Sequence, residues 1–191
     1  LVAGESVAAL IKRRGRLGWE QVVELALEVV AGLEYLHASD MHHLALAPEK
    51  ILLPRHTGAK IVDVRFERHK NLAFQSSANV TVDRASYLAP EQFKDDAQVG
   101  PRTDVYALGC VLYTMLTGRP PFVADDVNDL ARRHRSEVPE RVSRLALDCP
   151  IWLQTLIQQL LEKDPLKRPY SMSAVRLALE EIQKKMLAGV S

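Results

Sequence analysis

The stretch HHLALAPEKILL, His42–Leu53, has the pattern of a loop between two short strands. One short strand is predicted to enter it, and a second, apolar strand is predicted over Lys50–Leu53. A third strand, Lys60–Val62, follows the loop PRHTGA, whose residues favour a turn, so the last two strands are predicted to pair as a hairpin. The sequence thus predicts a loop held by a small sheet.

This stretch resembles the catalytic loop of eukaryotic-type protein kinases, which has the pattern H-R-D-L-K-P-E-N-I-L-L. The residues that match are His43, Leu46, Pro48, Glu49, Ile51, Leu52 and Leu53. The positions that carry the family's chemistry differ. Ala45 stands where the resemblance implies the catalytic Asp, Ala47 where it implies a Lys, and Lys50 where it implies the metal-binding Asn. Leu44 replaces the family's Arg.

Phosphoryl transfer requires metal ions across the phosphates and a carboxylate that orients the attacking hydroxyl and accepts its proton. The methyl group of Ala45 can do neither, and Lys50 places a cation where an oxygen ligand for a hard divalent ion is expected. No Asp lies between Asp40 and Asp63, so shifting the motif by one residue does not restore the base. The sequence therefore predicts no catalytic residue, no cofactor, no metal ion and no enzyme activity.

The segment KIVDVR, Lys60–Arg65, resembles the family's D-F-G metal-binding turn. Asp63 keeps the carboxylate, whereas Val64 replaces the Phe and Arg65 replaces the Gly. Glycine is used where the backbone takes positive φ or approaches a ligand closely, and Arg65 makes that conformation costly. Asp63 is therefore only a vestigial metal candidate, and the alternative is a carboxylate that lies on the surface or orders the loop.

Three further motifs follow in the family's order. SYLAPEQF resembles Y-x-A-P-E, Pro101–Phe122 resembles the family's central helix, and KDPLKRP resembles K-D-P-x-x-R-P. The resemblance implies that Asp104 holds the backbone of the catalytic loop and that Glu91 and Arg168 form an ion pair. The residues expected to keep structural roles are His43, Asp63, Glu91, Asp104 and Arg168. The sequence of Pro101–Phe122 is similar to that of bacterial serine/threonine kinases.

The fold class predicted is mainly α (α+β): a helical bundle around a central buried helix, with short β-hairpins. Helical spacing of apolar residues predicts helices over Glu5–Arg13, Trp19–His37, Pro150–Glu162 and Ser171–Lys185. Asp126–Ser136 is predicted to be an exposed helix. Asp104–Leu116 is apolar on every side and is predicted to be the central helix, packed by those at 19–37 and 150–162. The resemblance implies that residues 1–191 form the C-terminal lobe of a kinase, without the smaller lobe that carries the Gly-rich phosphate loop.

The composition of the chain limits the classes of partner that can be expected. The 191 residues carry 25 basic and 24 acidic side chains, a net charge of +1, which gives no reason to expect nucleic acid or an anionic membrane. The longest apolar run, Val105–Leu116, is too short to span a bilayer. Cys110 and Cys149 lie in apolar helical patterns and are expected as buried free thiols in a reducing, cytoplasmic setting. Protein partners are expected, including the rest of a longer chain.

Three functions remain open on the sequence. The first is an inactive, pseudokinase lobe that acts as an interaction, scaffold or regulatory module, presenting the activation-segment region Glu67–Ser86 or a helix that carries Arg132, Arg133 and Arg135. The second is a fragment of a diverged serine/threonine kinase that transfers phosphate from ATP with Asp63 or Asp40 as base. The third is a regulatory domain that binds a small molecule other than ATP in the cleft.

Overall fold

The computed structural model describes residues 4–64, 81–94 and 98–188 of the chain. Within these ranges the elements are β1 (Glu5–Ser6), α1 (Val7–Arg14), α2 (Trp19–Ala38), β2 (Ile51–Leu53), β3 (Lys60–Ile61), α3 (Val82–Ala85), α4 (Pro101–Thr117), α5 (Val127–Ser136), α6 (Val142–Leu145), α7 (Ile151–Leu160) and α8 (Met172–Leu187). Single 3₁₀ turns cover Pro48–Lys50, Pro90–Phe93 and Pro165–Lys167. The predicted class, a mainly helical lobe with short strands, is confirmed. Arg65 and most of Glu67–Ser86 lie outside the described residues.

Helix α4 is the centre of the lobe. Every residue from Thr103 to Leu116 is buried, which follows from a sequence that is apolar on all sides of the helix. α2 and α7 pack against it, as predicted. Gly109 permits the approach of α7, because a Cβ added there would lie 2.8 Å from the Cβ of Leu160. The helix ends at Gly118, whose φ of 78° suits glycine.

A second long contact, between α2 and α8, was not predicted. The two helices pack along each other, and Arg176 of α8 binds Glu34 of α2 with Nε 3.1 Å from Oε2. At the start of α2 the ring of Trp19 meets that of Trp152 on α7 edge-on, with centroids 5.7 Å apart. The core therefore extends from α4 through α2 and α7 to the last helix, α8.

The small sheet differs in detail from the prediction. The β2–β3 hairpin forms, with Ile51 opposite Ile61, and Oε2 of Glu28 on α2 accepts a hydrogen bond of 2.7 Å from the amide of Ala59. β1 adds a third, antiparallel strand, so Glu5 does not begin a helix as predicted. Lys50 belongs to a 3₁₀ turn instead of a strand, and the described residues just before the loop are not a strand.

Helix α5 was predicted as an exposed helix, but it buries one face. Asp126 caps its start by accepting hydrogen bonds from the amides of Asn128 and Asp129, at 2.8 and 2.9 Å. The residues on the inner face are Leu130, Ala131 and His134. His134 is fully covered and its ring contacts that of Phe122 edge-on at 4.9 Å. The buried face was not predicted because charged residues dominate the sequence of this helix.

Candidate functional site

Asp104 holds the loop that precedes Pro48. It is the fourth residue of α4 and is fully buried, and its Oδ2 accepts a hydrogen bond of 2.8 Å from the amide of His43. Its Oδ1 accepts one of 2.7 Å from the amide of Leu44, and Nε2 of His37 lies 2.8 Å from Oδ2. A carboxylate in the first turn of a helix is also favoured by the helix dipole. One buried side chain therefore fixes two consecutive peptide groups of the loop.

Leu44 takes a strained backbone conformation, with φ of 55°. Such a conformation is uncommon for residues other than glycine and persists only where the surroundings hold it. Here Asp104 holds the amide of Leu44, and Nε2 of Gln92 donates a 2.9 Å hydrogen bond to its carbonyl oxygen. The loop thus keeps a constrained geometry although the side chain at this position is apolar and buried.

His43 adds a further connection between the loop and the sheet region. Its Nδ1 accepts a 3.3 Å hydrogen bond from the amide of Ala45, and its Nε2 donates one of 3.1 Å to the carbonyl of Val62. These contacts fix the neutral ring with its proton on Nε2. Burial lowers the pKa of His43, which favours the same neutral form.

A cleft of about 450 Å³ opens beside this loop. The residues that line it are Ala45, Leu46, Ala47, Glu49, Lys50, Asp63, Val64, Arg84, Tyr87 and Leu88. The side chains of Ala45 and Ala47 are methyl groups, so neither side chain can accept a proton or bind a phosphate oxygen. Asp40, the other base considered from the sequence, is absent from the lining, whereas Asp63 is part of it.

Lys50 and Asp63 form an ion pair on this wall. Nζ of Lys50 donates a hydrogen bond to Oδ2 of Asp63, and this bond is the main cause that lowers the pKa of the Asp63 carboxyl. The turn that carries Asp63 is tied to the loop, because the amide of Val62 donates a 2.9 Å hydrogen bond to the carbonyl of Lys50. Asp63 itself has a φ of 58°, a conformation that aspartate tolerates better than most residues.

The residues that line the cleft include two carboxylates, Glu49 and Asp63, as oxygen ligands for a magnesium ion. A hard divalent cation needs several oxygen ligands, and the side chain of Lys50 offers only a cation. Asp63 already has that cation on one oxygen. In the part of the chain that the structure describes, no group of three or more His, Cys, Asp or Glu residues could hold a metal.

Glu91 and Arg168 meet in the interior. Nη1 of Arg168 donates a 2.8 Å hydrogen bond to Oε1 of Glu91, and Nη2 donates one of 2.9 Å to Oε2. The remaining guanidinium donors bind the carbonyl oxygens of Arg102, Glu162 and Lys163 at 2.7–3.1 Å. The Arg168 side chain is fully covered. The pair joins the Pro90–Phe93 turn to α4 and to the segment before α8.

Several residues of this arrangement were missed from the sequence. Gln92 binds the carbonyl of Leu44 as described above, and Thr103 Oγ1 donates a 3.0 Å hydrogen bond to Glu91. His37 contacts Asp104 from the end of α2. Gln92 and Thr103 stand next to motif residues, and that position is the only signal that the sequence offered for them.

Two of the three arginines of α5 pair with carboxylates on or next to their own helix. Arg132 and Arg133 both bind Asp129, at 2.6 and 2.9 Å, and Arg133 also reaches Glu137 at 3.5 Å. Nε of Arg135 donates to the carbonyl of Ala131 at 3.1 Å. Pairs at these spacings are ordinary on exposed helix faces. The arrangement favours a solvated face over an unpaired basic surface.

Two remaining expectations concern thiols and membranes. Cys110 and Cys149 are both free and buried, as predicted. Burial raises the pKa of Cys149 to about 11, and that of Cys110 is raised as well. Among the described residues no helix combines the length and apolar character required to cross a bilayer.

Comparison with known proteins identifies the family. The model of the protein kinase domain matches residues 1–179. A probable serine/threonine-protein kinase of Clostridium perfringens is 31% identical over 183 residues, which covers 96% of this chain and 27% of the relative. Serine/threonine-protein kinase PknB of Mycobacterium leprae is 30% identical over 183 residues, covering 93% and 29%. PknD of Mycobacterium tuberculosis is 33% identical over 180 residues, covering 94% and 27%. The chain thus spans between a quarter and a third of the length of these relatives.

These relatives correct one prediction. The sequence alone predicted that the chain is not an enzyme, but the matching family is catalytic and the relatives are named as serine/threonine-protein kinases, so that prediction is wrong as a statement of class. The substitutions at Ala45, Ala47 and Lys50 are differences within an enzyme family. The bacterial likeness suggested by Pro101–Phe122 is confirmed by the organisms of these relatives. Because the domain model matches residues 1–179 and the structure is a mainly helical lobe built around α4, this chain belongs to the protein kinase family, among its eukaryotic-type serine/threonine members.

Proposed function

We propose that this lobe contributes to its protein chiefly as an interaction, scaffold or regulatory module. The observation that carries the proposal is the ion pair between Lys50 and Asp63. Both residues stand at positions where family resemblance implies metal ligands, and the pair joins them to each other. With Ala45 beside it, this wall of the cleft is organised by an internal ion pair instead of by charges that face a nucleotide.

The partners in this proposal are proteins, including the rest of a longer chain, in a cytoplasmic setting. Two buried free thiols support a reducing environment. The activation-segment region Glu67–Ser86 is one candidate face, and residues 81–86 are the part of it that the structure describes. The α5 face is the weaker candidate because Arg132 and Arg133 already bind the carboxylate of Asp129.

Phosphate transfer by a diverged route is the second candidate function. It is supported by the names of the relatives and by the retained geometry of the loop, in which Asp104 still binds the amides of His43 and Leu44. Asp63 would be its base, because its carboxylate lines the cleft. Asp40 does not line the cleft and is the poorer choice.

One pair of variants in the longer protein separates the two functions. Asp63→Asn removes the only candidate base on the D-F-G-like turn and leaves the fold intact, whereas Arg168→Ala strands the buried Glu91. If the lobe is a regulatory module, binding of its protein partner should survive Asp63→Asn and be lost in Arg168→Ala. A radiolabelled phosphate-transfer assay is run on the same proteins. Turnover that disappears in Asp63→Asn would establish the enzyme and reject the proposal.

A further inference from the structure

A pocket of about 270 Å³ lies among α4, α7 and residues 138–142, and it shares no lining residue with the cleft. Most of its wall is apolar, formed by Tyr113, Val138, Pro139, Val142, Ile157 and Leu161. Ligand pockets typically measure about 300–1,000 Å³, so this one is suited to a small molecule. The remaining lining residues are the polar Gln158 and three charged residues, Glu140, Glu162 and Lys163.

The ammonium group of Lys163 is unusual. Its Nζ is covered by protein and has no hydrogen-bond partner among the described residues. The nearest partners are aromatic faces, since Nζ lies 4.4 Å from the ring centre of Phe122 and 5.8 Å from that of Tyr106. A second cation, the guanidinium of Arg168, already lies 4.8 Å over the ring of Tyr106. An ammonium has three N–H donors, and aromatic faces leave these without an oxygen acceptor.

The carboxylates around the pocket do not meet this need. Glu140 binds Arg119 at 2.8 Å, and Glu137 binds Arg133 at 3.5 Å. Glu137 and Glu162 act on Lys163 only through space, and burial outweighs them, so that the pKa of Lys163 falls to about 8. Glu162 lines the pocket as well, but among the described residues the buried charge without a hydrogen-bond partner here is the ammonium of Lys163.

We propose that this pocket binds a small amphipathic carboxylic acid, whose carboxylate accepts hydrogen bonds from Nζ of Lys163 while its hydrocarbon chain packs against Val142, Ile157 and Leu161. Lys163 is one of the residues that line the pocket, and its four flexible carbons allow the ammonium to turn from the ring of Phe122 towards the ligand. The ligand supplies the acceptor that the protein lacks at this point. This site is separate from the cleft and does not depend on the function proposed for it.

The test compares three probes of equal chain length with the 191-residue chain by isothermal titration: octanoate, 1-octanol and octylamine. Octanoate is expected to bind about tenfold tighter than octanol, the ratio that one charge-assisted hydrogen bond supplies. Lys163→Met keeps the stem and removes the charge, so it should abolish this preference. Equal binding of octanoate and octanol, preferred binding of octylamine, or no saturable binding would each overturn the proposal.

A second pair of variants covers the case in which Lys163→Met does not fold. Val138 lies at the pocket and is 84% exposed, so Val138→Trp can cover the opening without changing the core. Leu166, which is 74% exposed and absent from the lining, provides the matched control Leu166→Trp. Octanoate binding should be lost in the first variant and kept in the second, with melting temperatures close to that of the parent. Undiminished binding in Val138→Trp would place the ligand elsewhere and overturn the proposal.

Discussion

Arg168 and Glu91 are 77 residues apart in sequence and face each other through two parallel hydrogen bonds of 2.8 and 2.9 Å. Arg168→Ala leaves the carboxylate of Glu91 buried without its cation. Removing one partner of a buried pair typically costs about 3–5 kcal/mol, so the free energy of unfolding should fall by that order. Urea unfolding followed by the fluorescence of Trp19 and Trp152 measures it.

The matched control for this pair is Arg133→Ala. Arg133 is about a third exposed and binds Asp129 and Glu137 on its own helix. Pairs of this kind contribute below about 1 kcal/mol. Similar losses in the two variants would show that the Glu91–Arg168 pair does not carry the stability assigned to it.

Asp104→Asn should destabilise the loop although it preserves the shape of the side chain. The amide of Asn has a single oxygen acceptor, whereas Asp104 accepts from His43, Leu44 and His37 through two oxygens. A buried donor left without a partner costs about 1–3 kcal/mol, and the same unfolding assay should show a loss in this range.

The control for that substitution is Asp126→Asn. Asp126 caps α5 at the surface, and asparagine caps helices about as well as aspartate. Its free energy of unfolding should stay close to that of the parent. A loss at position 104 no larger than the one at position 126 would contradict the role of Asp104 in holding the loop.

Lys50→Met should raise the pKa of Asp63. The hydrogen bond from Lys50 is the main cause that holds this pKa below its ordinary value of 3.8, so removing the donor should return it upwards. In the parent the pair is fully formed above the ordinary pKa and is lost as the pH falls through the lowered one. Carboxylate ¹³C NMR titration reads the shift, and Arg13→Met, which frees Glu5 instead, should leave the Asp63 titration unchanged.

Protonation of His134 should make the fold sensitive to acid. Burial and the charge of Lys163 lower the pKa of His134 from 6.5 to about 3. Between these values the unfolded chain binds a proton that the folded chain does not, so the free energy of unfolding falls as the pH decreases. His134→Gln removes the contribution of this histidine to the pH dependence of the free energy of unfolding. Its deficit relative to the parent should therefore be larger at about pH 7 than at about pH 4.5.

That experiment is measured by urea unfolding at the two pH values. Oη of Tyr106 lies 2.9 Å from Nδ1 of His134, which explains why the variant is less stable than the parent at neutral pH. His56→Gln changes an exposed histidine and should follow the parent at both values. A deficit of His134→Gln that is constant with pH would mean that the ring is not held neutral.

The sequence determined the fold of this lobe through patterns that are local. A helix that is apolar on all sides must be buried, so Asp104–Leu116 identified the centre, and 3.6-residue spacing identified α2, α7 and α8 within a few residues. The order of the motifs indicated the family, and the resemblance implied structural roles for Asp104, Glu91 and Arg168. The substitutions Ala45, Ala47 and Lys50 in the loop led to the wrong prediction that the chain is not an enzyme. A missing carboxylate is a property of one site, whereas membership of an enzyme family rests on the whole chain.

Beyond the contacts of Asp104 and of Glu91 with Arg168, which the resemblance implied, only the tertiary structure decided which distant groups meet. Nothing local indicates that Lys50 reaches Asp63, that Gln92 holds the carbonyl of Leu44, or that His134 turns inward from a helix of arginines. These contacts depend on the path of the backbone between segments and on the reach of each side chain. Periodicity carries no information on either, since it records which side of an element is apolar and not which element covers it.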